Sequence, residues 1–184
     1  LHYSLVRDEM SMHYQPQVDA TDGRVVGFEA LMRWTHGGRL QSAARFIPLA
    51  EETGLIVPLG DWAIGSVCDA LVALRARGHG DCKVAVNVAP RQLRTGHVTA
   101  LVERELAIRG LRAGMLEVEL TESGAMGDPE AALGELGALR ALGVGLAVDD
   151  FGTGYTSLAH LRRLPVDVLK IDRSFVSNLD RTDD

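Results

Sequence analysis

Two rhythms of apolar residues divide this chain. Short runs of mostly apolar residues alternate with longer stretches whose apolar positions recur every three or four residues. The first rhythm predicts strands and the second helices. The opening predicts a helical start over residues 1–9 and a strand over 11–17. Asp22-Gly23 then marks a hairpin turn before a second strand over 25–34, so the first two strands should run antiparallel. Ser42 stands where it would cap a helix carrying Phe46, Leu49, Ala50 and Thr53, which Gly54 ends. A longer helix over 59–77 presents Trp62, Val67, Ala70, Leu71 and Leu74 at helical spacing and stops at Gly78.

From residue 83 the alternation is regular. A strand over 83–88 leads to a helix over 96–109 and a strand over 116–121. Asp128-Pro129-Glu130 opens the next helix with a cap, a proline at the first helical position and an acid matched to the helix dipole. That helix uses Leu133, Leu136, Leu139 and Leu142 and ends at Gly143. A strand over 145–149, a short helix over 156–163 and a sixth strand over 166–171, preceded by Pro165, complete the series. Repeated β-then-α units with short links predict a parallel sheet. Ala85, Ala147 and Gly145 share a face with the polar strand ends, and small side chains there suit a crowded barrel lumen, although an open sheet tolerates them too. We therefore expect an α/β fold, a TIM-like (β/α) barrel with an antiparallel first strand. A full barrel has eight strands in about 250 residues. Six strands are visible in these 184 residues, so the barrel is expected to be incomplete, with its last strands missing. The reading is of a single domain over 1–184 that lacks its C-terminal part. The chain starts at Leu1 rather than Met, and a polar tail over 178–184 follows a strand and turn. Both ends read as cuts within a longer protein.

Five of the apolar runs end in a polar residue. They are Val25-Val26-Gly27-Phe28-Glu29, Lys83-Val84-Ala85-Val86-Asn87, Met115-Leu116-Glu117-Val118-Glu119, Gly145-Leu146-Ala147-Val148-Asp149 and Val166-Asp167-Val168-Leu169-Lys170. A buried strand has no structural need for a carboxylate at its end, and burying one unpaired is costly. In parallel α/β folds the carboxyl ends of the strands form one site. Glu29, Asn87, Glu119 and Asp149 would offer oxygen donors around one point, joined by Asp150 on the next loop. Oxygen donors of this kind suit magnesium or manganese rather than zinc or copper, and four carboxylates exceed what one divalent ion neutralises, so two ions are expected. Taken singly, Glu29 reads equally as an edge-strand acid, Asn87 as a turn former and Asp149 as a helix cap. Lys170 among these acids offsets their charge and could orient a water or stabilise charge at phosphorus. Arg33 shares a strand face with Glu29 and Leu31, and its planar guanidinium suits a phosphate diester; a surface ion pair is the bland alternative. The glycine-rich stretch Asp150–Leu158 lacks the lysine of a P-loop and reads as an active-site loop. Glu122 could anchor it through backbone N–H groups, or cap a helix start near Ser123.

Composition narrows the partners. A 46% apolar and 24% charged chain is ordinary for a globular domain. The net charge of −6, with no basic stripe, argues against a nucleic-acid polymer. A small anion stays within reach, because bound divalent ions would reverse the local field. Cys68 and Cys82 show no CxxC spacing and read as two reduced, buried thiols of a cytoplasmic protein. The six His are scattered, which argues against zinc. No apolar run approaches a membrane span and no signal peptide opens the chain, although the longer protein could be membrane-anchored.

A series of motifs then points to one family. Glu29-Ala30-Leu31 within Gly27–Trp34 resembles the signature of the EAL domain family. Tyr14-Gln15-Pro16-Gln17, Phe46-Ile47-Pro48-Leu49-Ala50-Glu51, Val86-Asn87-Val88, Glu119-Leu120-Thr121-Glu122-Ser123, Asp149–Leu158 and Leu169-Lys170-Ile171-Asp172 resemble its further motifs in order. The resemblance implies a TIM-like barrel with an antiparallel first strand, and a phosphodiesterase that opens cyclic di-GMP to linear pGpG with magnesium or manganese, in bacterial second-messenger signalling. It implies Glu29, Asn87, Glu119 and Asp149 as metal ligands, Asp150 at a second metal, and Lys170 positioning the attacking water. It implies Glu122 as the loop anchor, Gln15, Leu31 and Arg33 as substrate contacts, and Asp172 as a supporting partner. Thr156 stands where the family commonly has Ser, and Ala89 where Ser is usual; neither removes a ligand. A later strand with an Ala-Glu-Gly-Val-Glu-like motif and a last strand with a Gln-Gly pair are absent from these residues, so the activity of this chain alone is open. The alternatives are a catalytically silent module that binds cyclic di-GMP, credible for a shortened chain, and an unrelated magnesium-dependent barrel enzyme acting on a carboxylate. The family further implies a homodimer, and cuts at both ends leave room for an upstream sensor or cyclase domain.

Overall fold

Residues 10–41 fold back on themselves twice before the β/α series begins. In the computed structural model, which describes residues 1–93, 96–122, 124, 129–153 and 162–177, strand β1 (Met10–Val18) pairs antiparallel with β2 (Val25–His36). The expected turn at Asp22-Gly23 is present. Gly23 takes φ +71°, and the Asp19 and Asp22 carboxylates accept the Thr21 and Arg24 N–H groups. A second hairpin was not expected: Gly37 and Gly38, both left-handed, turn β2 back into the short strand β3 (Arg39–Gln41). Paired glycines with positive φ are the usual signature of such a turn. Residues 1–9 are turns and not the predicted helix. Asp8 takes φ +55°, and the Glu9 N–H returns to the Ser4 carbonyl, closing the segment before a helix could propagate.

The remaining strands are β4 (Lys83–Asn87), β5 (Leu116–Thr121), β6 (Gly145–Phe151) and β7 (Val168–Ile171). The sheet runs β1-β2-β4-β5-β6-β7 and is parallel from β2 onward. This is the expected α/β architecture with an antiparallel first strand. Among the described residues the sheet does not close, which matches an incomplete TIM-like barrel.

Helices α1 (Ala43–Thr53), α2 (Ile56–Ala76), α3 (His97–Arg109) and α4 (Pro129–Leu142) cover the outer face. Gly54 ends α1 at φ +76°, as predicted, but the Ser42 side chain makes no capping bond. Helix α2 begins at Ile56, three residues before the predicted start. Pro58 falls in its first turn, where a missing N–H breaks no helical hydrogen bond. Strand β7 begins at Val168, later than predicted, and a one-turn helix α5 (Arg173–Val176), not foreseen, follows it. The Asp128 cap and most of the predicted helix over 156–163 lie outside the described residues.

The core forms between helices and sheet. Ile64, Val67, Cys68 and Leu71 of α2, Val98, Leu101 and Val102 of α3, and Leu136 and Leu139 of α4 bury against Val84, Val86, Val118, Leu146 and Val148 of the strands. By length and composition α2 is apolar enough to cross a membrane, contrary to the sequence expectation that no run approaches a span. In this fold that apolarity goes into the core, with eight α2 residues buried. Cys68 is buried as predicted, whereas Cys82 is only partly covered; both are free thiols. A smaller cluster of Met10, Phe46, Ala50, Ile56 and Leu59 seats α1 over the hairpin. Arg75 of α2 donates to the Arg109 and Gly110 carbonyls at the end of α3, satisfying groups that the helix itself leaves open.

Two helical glycines test how tightly this layer is packed. A Cβ on Gly60 would stand 2.1 Å from Nε2 of buried Gln92, whereas one on Gly134 of α4 meets nothing within 4 Å. Gly60→Ala should destabilise the protein by about 1–3 kcal/mol through overpacking. Gly134→Ala should be neutral or stabilising by up to about 1 kcal/mol through helix propensity. Urea unfolding of both variants checks the contrast, and equal effects would refute it.

Candidate functional site

Strand register decides which polar side chains meet. Across the parallel ladders Glu29 stands level with Ala85, Ala85 with Glu117, and Glu117 with Gly145. The next row on the same face holds Asn87, Glu119 and Ala147, and the next Thr121 and Asp149. Small residues thus alternate with long acids around the inner face. The alternation is steric: a Cβ on Gly145 would lie 3.3 Å from Glu117 Oε2. The acids are not strand tips, as the sequence suggested. Glu29 is the fifth of twelve residues in β2, and β5, β6 and β7 all continue past Glu119, Asp149 and Lys170.

Lys170 gathers the cluster. Its Nζ lies 2.6 Å from Glu119 Oε2, 2.9 Å from Glu29 Oε2 and 3.2 Å from Asp149 Oδ2. Asn87 Nδ2 donates to the other Glu29 oxygen at 3.2 Å. The three carboxylates offer oxygen atoms within 4.8 Å of one another. With all three carboxylates ionised, one ammonium leaves two negative charges among the described residues, the charge of one divalent cation.

Glu119 is the most constrained member. Its side chain is 0% exposed, and its Oε1 is buried without a hydrogen-bond partner. Burial pushes its carboxyl up to about 7, against the pull of Lys170 and with further upward pressure from Glu29 and Asp149. Burial alone would lower the Lys170 ammonium, but its bonds to Glu119 and Glu29 outweigh this and raise it. A buried, orphaned carboxylate oxygen beside two other carboxylates is a donor set that fits a hard divalent cation.

Asp150 lies next to this cluster in a strained backbone. It takes φ +53°, its N–H donates to Asp149 Oδ1, and its carbonyl accepts from the Thr153 hydroxyl and N–H. Burial, then Asp149 and Asp172, raise its carboxyl above the usual range. Just past β5, buried Glu122 reaches the same loop, and its Oε2 accepts the Gly152 N–H at 2.8 Å.

Leu31 and Arg33 line a pocket of about 260 Å³ that also reaches Asn87 and Thr121. Arg33 makes no ion pair among the described residues, and its Nη1 donates to the Met32 carbonyl. Gln15 and Asp172 do not line this pocket, although Gln15 stands opposite Glu29 and Asp172 lies near enough to raise the Asp150 carboxyl. Gln15 is exposed on β1. Asp172 caps α5, accepting the Ser174 N–H and hydroxyl, and the hydroxyl bond holds its carboxyl below the usual range. Three polar residues escaped the sequence-based set. Glu117, buried two positions before Glu119, has its carboxyl raised by burial; the period of two along β5 was the available signal. Glu51 and Gln92 line the pocket, and only the run Phe46–Glu51 hinted at the first.

A model of the EAL domain family matches residues 1–184. The chain is 43% identical over 180 residues to the bifunctional diguanylate cyclase/cyclic di-GMP phosphodiesterase MucR of Pseudomonas aeruginosa, covering 97% of this chain and 26% of that protein. It is also 43% identical to the cyclic di-GMP phosphodiesterase NbdA of the same organism, covering 97% and 23%. The chain thus spans about a quarter of the length of these curated relatives. The solved PaMucR phosphodiesterase in complex with c-di-GMP superposes with a TM-score of 0.91 at 43% identity, covering 98% of this chain and 74% of that one.

The position of Glu119 sets a pH dependence in metal-free protein. A carboxyl raised from 4.5 to about 7 on folding makes the folded state bind more protons than the unfolded state between those values. Its stabilising contribution is therefore full below pH 4.5 and lost as pH rises through 7. Thermal unfolding in chelator should show this decline, and Glu119→Gln should flatten it. An identical slope in the variant would refute the assignment.

Proposed function

The chain belongs to the EAL domain family, and we propose that it is the core of a metal-dependent phosphodiesterase domain that hydrolyses cyclic di-GMP to linear pGpG. The observation that supports this best is the Lys170-centred cluster, in which Glu119 keeps a buried oxygen without a partner beside Glu29 and Asp149. Glu29, Asn87, Glu119 and Asp149 would hold one Mg²⁺ or Mn²⁺, and Asp150 would serve a second. Such ions supply a lowered water pKa and positive charge against the diester. Lys170, fixed by three carboxylates, would orient the attacking water through its ammonium. The water oxygen bonds to phosphorus, the bond to the 3′-oxygen breaks, and the water's proton passes to that oxygen, leaving one linear dinucleotide with a 5′-phosphate. Arg33, free of any described ion pair beside the pocket, would hold non-bridging phosphate oxygens, with Leu31 and Gln15 as further contacts. Glu122 would keep the Asp150 loop in place through Gly152, and Asp172 would support it from α5.

The test uses the full-length protein with cyclic di-GMP and Mg²⁺ or Mn²⁺. Linear pGpG should form, chelator should stop it, and Lys170→Met should lower turnover by about 10²–10⁴-fold. Calorimetric binding of cyclic di-GMP without any product would instead indicate a silent binding module.

A further inference from the structure

We propose that Phe175 is a positioning residue for the Asp149–Asp150 turn, clamping it from α5 while Glu122, the residue after β5, holds it through Gly152. The inference rests on the proposed function only for its catalytic consequence. Asp149 and Asp150 need such a device. The register of β6 against β7 breaks between Val148 and Phe151, so these two residues stand opposite Lys170 alone. That is a bulge: the ladder does not fix both residues, and the local backbone bends. Asp150 also takes a left-handed φ of +53°, a conformation that persists only when its surroundings impose it.

Three contacts impose it. The Gly152 N–H is held by buried Glu122 at 2.8 Å. The Asp172 N–H reaches the Phe151 carbonyl at 3.4 Å. The Phe175 ring covers Gly152 so closely that a Cβ there would lie 2.6 Å from Cε2 and 2.8 Å from Cζ. Gly152 is thus required twice, by its φ of +100° and by the ring. Phe175 itself is delivered by α5, whose Asp172 cap sets the direction of its single turn. Phe175 is 54% exposed and belongs to neither buried core cluster.

The clamp predicts a local effect that ordinary loss of stability would not give. Hydrogen exchange in full-length protein, without metal or nucleotide, is read at residues 149–153, with β4 and β5 as folding controls. Phe175→Ala should speed exchange at 149–153 by about tenfold while β4 and β5 keep their protection, with Phe175→Leu between it and wild type. In turnover, Phe175→Ala should raise the Mg²⁺ or Mn²⁺ concentration for half-maximal rate by about five- to tenfold and leave the KM for cyclic di-GMP within about twofold. Unchanged exchange in folded Phe175→Ala overturns the proposal, and so does faster exchange with an unchanged metal requirement. Should Phe175→Ala lose protection in β4 and β5 as well, Phe175→Leu decides by the same two readouts. A wild-type protein without turnover would refute the phosphodiesterase reading, and exchange at 149–153 would then judge the clamp by itself.

Discussion

The ammonium of Lys170 is what allows three carboxylates to share the inner face of this sheet. An ionised carboxylate taken out of water carries a penalty of several kcal/mol unless it is paired. Here one lysine pairs with Glu29, Glu119 and Asp149 together. The partners are remote in the chain, 141 and 51 residues away for Glu29 and Glu119. The cluster therefore exists only once β7 has docked on β6 and the β2–β4–β5–β6 ladder is in register. Assembly of the sheet and neutralisation of its acids are one event, and the order of the strands is the condition for both.

Two local devices make that convergence sterically feasible. Ala85, Gly145 and Ala147 keep the inner face open where neighbouring strands send in Glu29, Glu117 and Glu119. The bulge at Asp149 and Asp150 answers a different problem. Strict alternation would send adjacent residues to opposite faces of β6. Placing both opposite Lys170 lets Asp149 reach the ammonium while Asp150 stays beside it. The raised Asp150 carboxyl is the electrostatic trace of that crowding, since burial, Asp149 and Asp172 all push it upward.

Much of this was legible in the sequence because it follows from short-range patterns. The alternation of strand and helix gave the parallel sheet, the Asp22-Gly23 turn gave the antiparallel first pair, and the apolar runs closing on Glu29, Asn87, Glu119, Asp149 and Lys170 marked residues that the structure brings together. What was missed depends on tertiary context. The N-terminal nine residues carry no signal against a helix until Asp8 turns left-handed and Glu9 bonds back to Ser4. Strand ends were misjudged in both directions: β2 and β6 each run two residues past the predicted 34 and 149, whereas β7 begins two residues after the predicted 166. Gln15 and Asp172 were grouped with the site through motif resemblance. The structure sets Gln15 opposite Glu29 across the β1–β2 pair, outside the pocket, and lets Asp172 both cap α5 and raise the Asp150 carboxyl. Glu117 was passed over although it shares the face of Glu119; its burial comes from neighbouring strands that no local pattern reveals.

The incomplete neutralisation of the cluster is its most telling property. A structural network of buried acids is stable when every oxygen is satisfied and the charges balance. This one stops short on both counts. Lys170 supplies a single positive charge against three carboxylates, and Glu119 Oε1 is left buried with no donor. Among the described residues no second cation joins the cluster: Arg33 lies on the pocket side and bonds the Met32 carbonyl, and Asp150 adds another acid. A site whose described residues leave an unused buried oxygen and, once its carboxylates are ionised, two negative charges suits a cation from outside. A divalent cation would meet both deficits at once, and with one in place the adjoining pocket beside Asn87 would no longer repel an anion.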